Sequence, residues 1–160
     1  MSLLVKRLAA ALLLMDFWSD VKEAVVVTGG QTTFAIASVV VANLPVGATI
    51  VRAVAMFKFR MVENTFAGVN KLDATAALPI QVDDSVAHGY VTAIDFVDDA
   101  FTLAAAPTRE GGDVIIGDNN IAARVDGNDT YPFRWLDAKA DQANLEFNDV
   151  QVGLRIWYSV

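Results

Sequence analysis

The stretch DVQVGLRIWYSV, residues 149–160, decides the fold class. Val150, Val152, Leu154, Ile156, Tyr158 and Val160 fall on one side of an extended chain, and Gln151, Gly153, Arg155, Trp157 and Ser159 on the other. Alternation with period two marks a strand that lays one face on a core. Chain ends fray unless something ties them down. A final strand this apolar is therefore expected to be paired inside a sheet, with its end covered by a neighbour.

The same pattern recurs upstream. EAVVV (23–27) is a short strand closed by the turn TGG, and FAIASVVVANLP (34–45) is a second, ending in a turn from Asn43 to Gly47. TIVRAVAMFKFRMV (49–62) is longer. It places Val51, Ala53, Ala55, Phe57, Phe59 and Met61 on one face, and Ile50, Arg52, Val54, Met56, Lys58 and Arg60 on the other. The second face is half apolar and half basic, so it is either solvated or covered by a partner. LPIQV (78–82), YVTAIDFV (90–97), FTLAA (101–105), DVIIG (113–117), IAARV (121–125) and YPFRW (131–135) complete the set. The separators REGGD, GDNN and DGND consist of turn residues. Many short strands at this spacing predict an all-β antiparallel sandwich or barrel. LDAKADQAN (136–144) reads as one helical turn or a compact loop.

The N-terminal segment reads differently. Residues 3–18 are rich in Leu, Ala and Met without Gly or Pro, which predicts a helix. Its centre, Leu8 to Met15, is apolar all round, so one surface cannot cover it. The expected organisation is a helical arm over 1–20 and a single β domain over 21–160. With about 20 apolar residues needed for a helical span, LAAALLLM (8–15) is too short to cross a bilayer. The same order of basic then apolar residues suits a signal-peptide core, but DFWSD offers no small-x-small cleavage site.

Composition narrows the function. There is no cysteine and one histidine, His88, which excludes disulfides, thiolate metal sites and His-rich metal sites. A net charge of −7 argues against a nucleic-acid surface. Hydrophobic residues make up 54% and mean hydropathy is +0.41, well on the apolar side for a lone soluble domain. Without a membrane span, burial against other protein is the expected explanation of that excess.

No stretch carries a decisive catalytic motif. DDSVAH brings Asp83, Asp84, Ser85 and His88 together, but nothing resembles G-x-S-x-G, and a polar loop is the plainer reading. TREGGDVIIGDNN lacks both phosphate-binding glycine patterns. Asp118, Asp126 and Asp129 imitate a calcium loop, yet apolar residues stand where oxygen ligands are needed. Neither a cofactor nor a metal is expected. Tyr131, Phe133 and Trp135 share one strand face; they form core, or in an alternative reading an exposed row that stacks on sugar rings. Pro132 and Arg134 face the other way, which suits an edge strand.

Taken together, LPVGATIVRAVAMFKFR, TREGGDVIIGDNN, VDGNDTYPFRW and NDVQVGLRIWYSV give the chain a resemblance to phage-type virion structural proteins. It is similar, over roughly 24–160, to the small β-sandwich proteins that build or decorate capsids. The resemblance implies a jelly-roll-like fold, symmetric self-association, no catalysis and a place in the virion among other virion proteins. It transfers no functional residues. The residues expected at an assembly interface are Leu8, Leu12 and Met15 from the arm and Arg52, Lys58 and Arg60 from the basic face. Most of the 19 acids lie in 73–149, so that basic face is expected to meet acidic surface from this region. The competing reading is a carbohydrate-binding or adhesin module, secreted or at a cell surface, with Tyr131, Phe133 and Trp135 exposed.

Overall fold

The computed structural model describes residues 12–27, 33–65, 67–72, 80–95, 101–105, 107–136 and 145–160. Its elements are β1 (Leu13–Trp18), β2 (Lys22–Val27), β3 (Thr33–Val40), β4 (Thr49–Lys58), β5 (Met61–Asn64), β6 (Asn70–Leu72) and β7 (Ile80–Val82). They continue with β8 (Val91–Ile94), β9 (Phe101–Leu103), β10 (Thr108–Glu110), β11 (Ile115–Ile116), β12 (Thr130–Leu136) and β13 (Leu145–Ser159). The chain is all-β, as the alternation predicts. Every pairing among the described residues is antiparallel.

β13 is the spine of a seven-stranded sheet, with β1 and β2 along one edge and β4 and β5 along the other. β11 extends β4 and β10 extends β5. The seven strands thus behave as four long ones creased along one line. The crease crosses residues 19–21, 59–60, 111–114 and Asp149. There Asp149 takes a left-handed backbone (φ 53°), a conformation Asp tolerates better than most residues. The Arg60 guanidinium holds its carboxylate, and Arg60 N–H donates to Asn148 O at 2.9 Å. On the other edge the chain carries one residue more than β13, as in a bulge. Ser19 absorbs it: its N–H donates to Val152 O, its hydroxyl accepts from Val152 N–H, and its carbonyl accepts from the Gln151 amide.

A four-stranded sheet, in the order β3-β12-β7-β8, packs on the concave side, and β6 and β9 form a separate pair. The core between the sheets takes alternate residues from both. Val150, Val152, Leu154 and Ile156 come from β13, and Ala53, Ala55 and Phe57 from β4, all fully buried. Trp135 joins the sheets: its ring lies 5.2 Å from Phe57, edge-on, and 5.3 Å from Phe147. Such aromatic pairs add ~0.5–1.5 kcal/mol each beyond the area they bury.

Four expectations are corrected. The helix over 3–18 is not present in its described part, because residues 13–18 pair with β13 from Leu13↔Tyr158 to Trp18↔Gly153. Intrinsic propensity loses to tertiary pairing, which also buries Met15 and Phe17 against the core. Residues 1–11 of the proposed arm, Leu8 among them, lie outside the described residues, as does most of 136–144. The strand expected at 121–125 is a turn, in which Arg124 and Val125 N–H both donate to Ile121 O, burying Ile121 and Val125 on one side. β12 is not an edge strand: it lies between β3 and β7, and Pro132 sits at a register shift where its missing N–H is tolerated. The expected strand 49–62 is split by the crease into β4 and β5.

Candidate functional site

The convex side of the creased sheet is the surface that the alternation leaves over once the core is assigned. Register fixes its rows. Leu14, Trp157 and Arg52 lie side by side across β1, β13 and β4; Asp16, Arg155 and Val54 form the next row. Trp18, Gly153, Met56 and Ile116 form the third, and Gln151 and Lys58 the fourth. The rows interlock. The Arg52 guanidinium stands 5.1 Å from the Trp157 ring, and Lys58 Nζ 4.5 Å from the Trp18 ring. Cations over indole faces are held by the ring quadrupole.

Gly153 makes this arrangement possible. A Cβ there would stand 2.8 Å from Trp18 Cε3 and 3.0 Å from Met56 Cε, so the indole packs where only bare backbone leaves it room. Arg155 holds Asp16 with two hydrogen bonds, at 2.8 and 2.7 Å, which raise the guanidinium above its ordinary pKa. Under these long side chains Val54 and Met56 are as buried as core residues, although they point away from the core. The face is nevertheless open at its margins: Leu14 is 51% exposed and Ile116 47%. Among the described residues, neither Arg52 nor Lys58 has a carboxylate partner.

Of the interface residues expected from sequence, the structure brings Arg52 and Lys58 onto this face and places Arg60 and Met15 off it, while Leu8 lies outside the described residues. Arg60 lies at the crease, bound to Asp149. Met15 points to the concave side, partly buried against the core, and Leu12 is exposed just before β1. Trp18, Trp157 and Gly153 were assigned no role by sequence reasoning. The parity of Gly153 and Trp157, opposite to Val150, Val152, Leu154 and Ile156, was the available signal; Trp18 was hidden inside the proposed helix. Tyr131, Phe133 and Trp135 are buried in the core, which corrects the exposed sugar-stacking row.

The DDSVAH loop is braced rather than poised. Asp84 accepts from His88 Nδ1 at 2.6 Å and from Arg124 Nη1 at 3.0 Å. Asp83 accepts from the backbone N–H groups of Asp84 and Gly89. The Ser85 hydroxyl donates to Asp129 at 2.8 Å, not to His88, so no Ser–His pair forms. Two pockets flank the edge of β8 that no other described strand pairs with. One, of ≈ 330 Å³, lies between Val91, Thr92 and the 119–124 turn; the other, of ≈ 270 Å³, between Ile94, Asp95 and residues 115–119. Gly117 separates them, its Cα pressed against the Ala93 carbonyl, where a Cβ would come within 2.3 Å. Among the described residues no group of three or more His, Asp or Glu is arranged to hold a metal, and no helix is long and apolar enough to cross a membrane.

No known protein family, curated protein or solved structure matches this chain.

Proposed function

We propose that this chain is a non-enzymatic structural protein of a virion, of the capsid or capsid-decoration type, that works by assembling with copies of itself and with other virion proteins. The observation that carries the reading is the convex face. It is a broad, pre-ordered sheet surface on which indoles, aliphatic side chains and cations without a carboxylate partner among the described residues lie together. A face already fixed by ladder pairing and cation–π contacts loses little side-chain entropy when covered. Aromatic and Arg side chains are also the types that dominate protein interfaces. The resemblance to small capsid β-sandwiches and the apolar composition point the same way, and the titratable groups around His88 are occupied in bracing a loop.

The test is the mass of the purified protein by size-exclusion chromatography with light scattering across a dilution series, followed by negative-stain imaging of the assembled fraction. A homo-oligomer of fixed size, or closed particles, is the expected result. A monomer over the whole range that also fails to join other virion components would overturn the reading.

A further inference from the structure

We infer that the convex face is one half of a self-complementary contact, in which two copies of the chain pair about a two-fold axis passing close to Ile116 of β11. The inference rests on the self-assembly reading above and adds the surface and its symmetry. β11 is only two residues long and, among the described residues, pairs only with β4. On its β4 flank stand Arg52 and Lys58, without carboxylate partners among the described residues. On its other flank, around the ≈ 270 Å³ pocket, stand Asp95 and Asp118, exposed and without cationic partners among the described residues. Between the two flanks Ile116 and Val114 are exposed apolar side chains.

The order across the surface is therefore cation, aliphatic, anion. A two-fold contact requires a patch that is its own complement. Rotating a second copy about β11 sets each Arg52–Lys58 pair over the partner's Asp95–Asp118 pair, with Ile116 facing Ile116. Net charge favours this face over others. At −7 the chain repels a second copy at most orientations, and this contact brings opposite charges together twice.

Charge reversal tests the pairing. Arg52→Glu with Lys58→Glu makes the patch wholly acidic, and Asp95→Lys with Asp118→Lys makes it wholly basic. All four positions are at least partly exposed, and a circular-dichroism melt of each variant checks that it folds. Each double variant alone is expected to lose the two-fold contact, with a matching fall in mass. An equimolar mixture of the two restores it as a one-to-one pair, and the fourfold variant restores it alone. The chain has no cysteine, so Ile116→Cys gives an independent readout: mild oxidation should yield a covalent dimer, whereas Val46→Cys, on a fully exposed turn, should not. Folded double variants that keep wild-type mass, or an Ile116→Cys protein that does not cross-link, would overturn the inference while leaving self-assembly standing. A wild-type monomer would overturn both.

Discussion

Arg124 Nη1 lies 3.0 Å from Asp84 Oδ2, across 40 residues of chain. The contact ties the 83–90 loop, which follows β7, to the 121–125 turn, which is itself hydrogen-bonded to β4 through Ile121 N–H and Ala53 O. One ion pair thus fastens the edges of the two sheets together. Arg124→Ala leaves two buried carboxylates, Asp83 and Asp84, without their cation, and stranding a buried charge is strongly destabilising. The melting temperature at neutral pH should fall clearly further than for Arg60→Ala, whose ion pair with Asp149 is solvated and screened. Equal losses would show that the Arg124 contact contributes nothing special.

Acid should act through the same carboxylate. Burial pushes the Asp84 pKa up, but hydrogen bonds from the His88 ring, the His88 backbone N–H and Arg124 together outweigh it and hold the group below its ordinary value. A carboxylate depressed in the folded state stabilises the fold above its unfolded pKa, ~3.9. That stability is lost as pH falls through the lower folded value. Thermal melts should therefore lose stability below about pH 4. Asp84→Asn should start lower at neutral pH and decline less steeply on acidification. An equally steep decline would assign the acid limb to other groups.

Phe147 is fully buried and touches Phe57, Phe59 and Trp135. Phe147→Ala should cost ~3–5 kcal/mol of unfolding free energy, the range for emptying a large aromatic site. Denaturant titration measures it, and a loss under about 1 kcal/mol would mean the cluster collapses to fill the gap.

Gly153→Ala should be destabilising by ~1–3 kcal/mol, because the new methyl meets the Trp18 ring and the Phe17 carbonyl, each at 2.8 Å. The variant should also change tryptophan fluorescence as Trp18 is lifted off the strand. An unchanged spectrum and melt would contradict the packing described for this face.

Removing the Arg155–Asp16 pair is expected to matter less. Both side chains are about a third exposed, and such pairs contribute ~0.2–1 kcal/mol. Arg155→Ala should show that small loss at low salt and less of it at high salt, read by melts at both.

How much of this was legible in the sequence depended on whether period two reached far enough to be seen. β13 keeps one alternation from Val150 to its end, after a slip in phase at Asn148–Asp149, and parity in that stretch separated its core residues from Arg155 and Trp157. β4 and β12 were legible for the same reason. The crease was not, because it is a property of four chain segments lying side by side, and no one of them announces it; Asp149 looks like an ordinary turn residue. β1 was misread because Leu and Ala carry high helix propensity, whereas what holds residues 13–18 extended is β13, more than a hundred residues away. IAARV has strand composition, but its Ile121 and Val125 are spaced to share one side of a turn. The convex face was half visible: Arg52 and Lys58 stood out as unbalanced cations, while their indole partners come from other strands.

The position of β13 has a consequence for how the protein is made. β1 and β2 leave the ribosome before β4 and β5, and all four well before β13, yet none of the four pairs with another of them; all four pair with β13. Until residues 145–159 emerge, β1 and β2 lack their ladder partner, and β4 and β5 have only the short β11 and β10. Closing contacts so distant in sequence is slow, and nascent chains in that condition aggregate readily. The convex-face residues of β1 and β4 therefore come together only once β13 has been made and sets them in register. A chain interrupted before residue 145 lacks that surface altogether, so only copies that include β13 carry it.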